Sequence, residues 1–158
     1  MKMRHFLLQE AYAILQALWY SLAGLSIFSG RALSVAAGLL FLLMIDRCLL
    51  VAGISTTVRY LAVAIGGINY FYIYAASLIR PEVFSLSCTA TALFLYLTWQ
   101  QKPTSLYRLF WAHVFMILAA LFHLQAAFTA MMFWLAMLLF NRRDITIRHI
   151  IAISLPYA

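Results

Sequence analysis

The apolar residues of this chain come in long blocks, and most of its charges sit in the short gaps between those blocks. The gaps fall at Asp46-Arg47, Arg59, Arg80-Pro81-Glu82, Lys102 to Arg108, and Arg142 to Arg148. Backbone placed in hydrocarbon must satisfy its polar groups internally, so blocks of this kind fold as helices that cross a bilayer. Apolar residues make up 66% of the 158 positions and charged residues only 9%, too little polar surface for a water-soluble domain. The expectation is an all-α polytopic bundle: one membrane domain over residues 1–158, with about five crossings and no room for a soluble domain.

The blocks define the segments. Residues 6–22 mix large apolar groups with Glu10, Gln16 and Ser21, which suits a helix lying at the membrane interface with Trp19 and Tyr20 at headgroup depth. A basic start before Phe6 resembles a signal peptide, but Gln9 and Glu10 interrupt the apolar region early, so cleavage is not expected. Crossings are expected over 27–45 and 60–78, the second with Gly66-Gly67 at its middle for close helix approach and with Tyr70, Phe71, Tyr72 and Tyr74 beyond. Pro81 suits the first turn of a third crossing, 81–99, whose Ser85, Ser87, Thr89 and Thr91 can bond across helices or back to their own backbone. Lys102-Pro103 is a stop.

From Leu109 to Phe140 the chain is apolar for about 32 residues, and one helix of that length would reach about 48 Å, well beyond the hydrocarbon core. Two helices, 108–123 and 125–140, meeting near His123-Leu124-Gln125, fit better. A further helix begins at about 149 and is still apolar at Ala158, which suggests a lost continuation.

Arg47, Arg59, Lys102, Arg108, Arg142, Arg143 and Arg148 all fall in gaps on one side of such a bundle; Lys2, Arg4, Arg31 and Arg80 fall on the other. The positive-inside rule places the first group in the cytoplasm. Residues Arg80, Glu82 and His123 then face outward. The net charge of +7 therefore orients membrane segments; nucleic-acid binding would need a clustered basic face with aromatics beside it, and none is present. Cys48 and Cys88 lie in or beside apolar blocks and read as small buried residues, and no Cys or His spacing suits a metal. Gly-rich phosphate loops, Gly-x-Ser-x-Gly and His-Glu-x-x-His are missing.

The outward side gathers Glu10, Arg31, Arg80, Glu82, His123 and Gln125. Ionisable groups at membrane depth are costly and point to function. Arg80 suits two-pronged phosphate binding, and Glu82 suits a base. The plainer alternative is a helix-start pair, Glu82 meeting the positive end of the dipole while Arg80 reaches for water. His123 equally suits a residue that bonds the backbone at a helix break. His113 reads as an interhelical hydrogen bonder, Asp46 as a local ion pair with Arg47, and Asp144 as a solvated loop charge.

Three stretches together resemble the C-type polytopic glycosyltransferases, the superfamily of protein O-mannosyltransferases and aminoarabinose transferases. They are YSLAGLSIFSGRALSVAAG at 20–38, with Arg31, Ser34 and Gly38 opening a crossing; SLIRPEVF at 77–84, where Arg-Pro-Glu starts a helix; and LAALFHLQ at 118–125, an outward corner. The resemblance implies transfer of a sugar from a polyprenyl-phosphate-linked donor to an acceptor on the outer face of a bacterial inner or plasma membrane. It implies that Arg31, Arg80 and His123 hold the donor phosphate and that Glu82 is the second acidic position of the site, assigned a catalytic role, with Glu10 and Gln125 as contacts to donor or acceptor. It names membrane lipid and the lipid-linked sugar as partners, with other membrane subunits beside them; no metal is expected, from the Cys and His spacing. One departure stands out: the family carries an acidic residue in a long outer loop upstream of the interface helix, and this chain begins at about that helix. The expectation is a piece of such an enzyme, incomplete at both ends. The alternative is a non-catalytic polytopic membrane subunit or small transporter-like protein in which Arg80 and Glu82 only pair; a structural scaffold is a third.

Overall fold

The computed structural model of the chain describes residues 10–69, 73–74, 77–141 and 145–157, without the side chains of Glu10 and Phe140. All regular elements among the described residues are helical: α1 (Glu10–Ala23), α2 (Ile27–Val51), α3 (Thr56–Ile68), α4 (Pro81–Gln101), α5 (Leu106–Phe122), α6 (Gln125–Phe140) and α7 (Ile147–Ser154), followed by a 3-10 turn, Leu155–Tyr157. The expected helix start at 6, the aromatics Tyr70, Phe71 and Tyr72, and the charges Arg142, Arg143 and Asp144 lie outside the described residues.

Local chemistry sets the breaks. Gly24, at φ 81°, follows α1 in a left-handed conformation that costs glycine little. Ser26 then caps α2 by accepting the Ser29 N–H at 3.0 Å. Gly53, at φ 76°, turns the chain after α2. Pro81 occupies the first turn of α4. His123 takes extended geometry between α5 and α6, so the long apolar stretch is two helices. Thr146 and His149 close a reciprocal cap at the start of α7.

The region expected as one crossing over 60–78 differs. The helix begins earlier, at Thr56, and stops at Ile68, where Asn69 is extended. Gly66-Gly67, with Asn69 after one intervening residue, make a weak helical stretch, because glycine costs about 1 kcal/mol relative to alanine. Gly66 and Gly67 are not sites of obligatory close approach either. A Cβ at either position would lie 3.6 or 3.5 Å from a Leu42 methyl, ordinary van der Waals contact. The tight glycine is Gly30, where a Cβ would overlap the Tyr20 hydroxyl and lie 2.6 Å from Ile79 Cδ1.

α4 is the central helix, packed most extensively on α5 and then on α2. α2 buries only small residues, Ser29, Gly30, Ser34, Ala37, Gly38 and Cys48. Small residues let two backbones approach. At this contact Ser87 donates to the Ala37 carbonyl and Cys48 Sγ faces the Ala90 carbonyl at 3.7 Å. Ser85 donates to the Ala119 carbonyl of α5 at 2.9 Å, while Thr89 and Thr91 bond back within α4.

Two cores fill the opposite ends of the bundle. At one end Tyr12, Ala37, Val83, Phe84 and Phe122 pack together. At the other lie Tyr96, Trp99, Leu109, Ala112, Met137 and Ile153. There the Pro103 carbonyl accepts from Trp99 Nε1 at 3.0 Å and lies 2.9 Å from His149 Nε2, tying α7 to the α4–α5 turn.

Asp46 does not pair with Arg47. It accepts from Arg59 of α3, from Nε at 2.9 Å and from Nη2 at 2.7 Å. Neighbouring helical residues point about 100° apart, so Asp46 faces α3 while Arg47 is exposed.

Two helices, α2 and α4, are long and apolar enough to cross a membrane; α3, α5 and α6 are shorter apolar helices. The outer surface carries many large apolar groups, among them Leu22, Leu25, Phe28, Ile68 and Tyr107, all largely exposed. An exposed apolar surface of this extent calls for a covering phase.

Candidate functional site

The site is built where α5 ends and where α4 and α6 begin. Pro81 opens α4 and puts Glu82 in its first turn. Ser85, Leu86 and Thr89 follow three, four and seven residues later, one face of the helix. The corner after α5 carries His123, and α6 then presents Gln125, Ala126 and Thr129. These eight side chains line a cleft of about 310 Å³. That volume suits one small ligand rather than an extended chain.

Glu82 is the most unusual group in the cleft. Its Oε1 lies 3.7 Å from Arg80 Nη1, beyond good hydrogen-bond distance. Its Oε2 is buried and has no hydrogen-bond partner among the described residues. The Glu82 side chain as a whole is 37% exposed, so water screens part of the cost of this unpaired oxygen, and the half-exposed Arg80 offsets little of the rest. The Arg80 guanidinium instead lies over the Tyr74 ring, 5.8 Å from its centroid, so it stands at the rim with its charge towards the surroundings.

Tyr12 packs close by against Phe84, with ring centroids 5.3 Å apart, and accepts from Gln16 at 2.8 Å. Burial, helped by the neighbouring Tyr20 and then by Glu82, pushes its hydroxyl up to about 12. Tyr12 therefore stays a neutral phenol.

The structure thus brings Glu82, His123 and Gln125 to one cleft, with Arg80 on its edge. Arg31 is exposed on the first turns of α2 and does not line the cleft. The residue before it, Gly30, packs on Ile79, the residue before Arg80, so the two arginines share one end of the bundle. The side chain of Glu10 lies outside the described residues. His123 needs no ring contact to close the helix ends: its N–H donates to the Ala119 carbonyl and its carbonyl accepts from the Ala126 N–H.

Sequence reasoning singled out Ser85 and Thr89 only as helix-packing groups and missed Leu86 and Thr129. The spacing 82, 85, 86, 89 was the available signal, one helical stripe below Glu82. Among the described residues no three His, Cys, Asp or Glu side chains gather as metal ligands.

A second polar cluster lies deeper. His113 is fully buried, its Nδ1 3.1 Å from the Tyr157 hydroxyl, which also accepts from Trp134 Nε1 at 3.3 Å. The cluster connects α5, α6 and the C-terminal turn, as an interhelical hydrogen bonder would. Among the described residues it holds no carboxylate, which leaves the Glu82 cleft as the candidate for chemistry.

No family model, curated protein or solved structure matches this chain.

Proposed function

We propose that this chain is a membrane glycosyltransferase, or a piece of one, that moves a sugar from a polyprenyl-phosphate donor to an acceptor on the extracytoplasmic side. The bundle sits in the bilayer with α2 to α6 as about five crossings, α1 on the outer interface and α7 on the cytoplasmic one. Helices α3, α6 and α5, of 13, 16 and 17 residues, reach about 20–26 Å and cross with local thinning of the bilayer. The basic gaps at Arg47, Arg59, Lys102, Arg108 and Arg148 then face the cytoplasm, and the Glu82 cleft faces outward. The location is a bacterial inner or plasma membrane.

One observation carries this reading: a carboxylate oxygen of Glu82 buried without a partner among the described residues, in a small cleft shared with His123 and Gln125 and edged by an arginine. A structural ion pair would satisfy both partners. Here Glu82 Oε2 accepts from none of the described residues, as a base accepts from none before its substrate arrives. Arg80 offers a fork for phosphate, and the N-terminus of α4 adds positive potential beside it.

In the proposed step the acceptor hydroxyl oxygen attacks the anomeric carbon of the sugar. Its proton passes to Glu82. The bond from that carbon to the donor phosphate oxygen breaks, and polyprenyl phosphate leaves with the electron pair, stabilised by Arg80 with Arg31 and His123 nearby.

The test is sugar transfer in membranes that contain the protein as the cell makes it. Glu82→Gln and Arg80→Ala should abolish transfer while membrane levels stay unchanged. Unchanged transfer would overturn the proposal and leave a non-catalytic membrane subunit as the better account.

A further inference from the structure

The wall of the cleft contributed by α4 offers hydrogen-bond acceptors only. Ser85 donates its hydroxyl proton to the Ala119 carbonyl, and Thr89 donates its own to the Ser85 carbonyl, both at 2.9 Å. A hydroxyl has one proton and two lone pairs. With the proton held by a carbonyl, each of these oxygens meets a ligand as an acceptor. Glu82, as a carboxylate, also only accepts, and its buried Oε2 has no partner among the described residues. From Glu82 to Thr89 this wall runs about 10 Å along the helix. Across the cleft Gln125 offers a donor and an acceptor, Thr129 a hydroxyl and His123 a ring that both donates and accepts, so the acceptor-only face is that of α4. Leu86 and Ala126 supply an apolar patch between the polar groups.

We infer that this cleft receives the sugar ring of the donor, with the phosphate left outside at Arg80, and that it selects a neutral or amino-substituted ring over an acidic one. A phosphate or a uronate carboxylate brings only acceptors; against this wall they would go unpaired and be repelled by Glu82. A ring bearing O–H or N–H groups brings the donors the wall lacks, and its C–H face fits Leu86 and Ala126. Thr89, two turns below Glu82, is then a specificity-determining residue. The inference rests on the donor being a polyprenyl-phosphate sugar, as proposed above.

Binding of three probes to the full chain in neutral phospholipid nanodiscs separates the two ideas. The probes are polyprenyl phosphate, its neutral hexosyl derivative and its uronosyl derivative. The hexosyl lipid should bind about tenfold more tightly than the bare phosphate lipid, and the uronosyl lipid no more tightly than the bare one. Thr89→Val should erase the hexosyl advantage and leave bare-lipid binding unchanged; Thr89→Ser, which keeps the hydroxyl, should restore it. A hexosyl advantage that survives Thr89→Val, or a uronosyl lipid that binds as well as the hexosyl one, overturns the inference while the phosphate assignment stands. Bare-lipid binding that is absent, or indifferent to Arg80→Ala, overturns the functional reading and sugar selection with it.

Discussion

Arg59 reaches from α3 to α2 and holds both carboxylate oxygens of Asp46, with Nη2 at 2.7 and 2.8 Å and Nε at 2.9 Å. Both side chains are largely buried, at 11% and 18% exposure. Removing one partner of such a pair leaves an uncompensated charge and costs roughly 3–5 kcal/mol. Asp46→Asn and Arg59→Leu should each lower the apparent unfolding temperature in detergent by several degrees. The double variant should lose less than the sum of the two, because neither charge is then left alone. Purely additive losses would show that the pair contributes nothing as a unit.

The glycines make a contrasting forecast. Gly30→Ala should disturb the junction of α1, α2 and the chain before α4, since the new Cβ overlaps the Tyr20 hydroxyl and crowds Ile79. Gly66→Ala should be neutral or stabilising by up to about 1 kcal/mol, because its Cβ meets Leu42 at an ordinary distance and alanine is the better helix former. Thermal denaturation followed by tryptophan fluorescence reads both. A more damaging Gly66→Ala would reverse the assignment of the tight crossing.

Trp99 anchors the other end. It is fully buried, donates to the Pro103 carbonyl, and meets His149 edge-on at 5.7 Å. Trp99→Ala should cost about 3–5 kcal/mol. His149→Ala should act more locally, freeing α7 by removing both its cap and its contact with Pro103. Limited proteolysis should then cut His149→Ala between α6 and the C-terminus while α4 and α5 stay protected. Uniform cleavage along the chain would argue against a local clasp.

Tyr157→Phe isolates the deeper polar cluster. It removes the hydroxyl shared by His113 and Trp134 and leaves two polar groups without it. A loss of roughly 1–3 kcal/mol is expected, with sugar transfer retained, since the cluster lies outside the Glu82 cleft. Loss of transfer at full stability would place His113 in the chemistry instead.

Arg80→Lys separates fork from charge. Lysine keeps the positive charge and loses the two-pronged geometry. Binding of polyprenyl phosphate should weaken about tenfold, less than in Arg80→Ala. Equal affinity for the lysine variant would mean that simple attraction suffices.

The all-helical architecture could be read from the amino-acid order alone, because apolar blocks and their breakers act locally. Gly24, Gly53, Pro81, Lys102-Pro103 and the polar corner at His123 each act on the few residues around them. The end of α3 at Ile68 was harder, since a run of apolar and aromatic residues masked the weak Gly-Gly-Ile-Asn stretch. Local order also pointed to Arg80, Glu82 and His123 as costly groups. What needed the tertiary structure was every choice among partners. Asp46 had an arginine next door and took the one on the following helix, because the helical turn aims adjacent side chains apart. Glu82 lies far in sequence from Gln125 and Thr129, and only the packing of α4 and α5 sets them around one cleft. Whether a hydroxyl such as Thr89 presents a proton or a lone pair depends on where its own hydrogen bond goes. That direction is a property of folded geometry, and residue type cannot carry it.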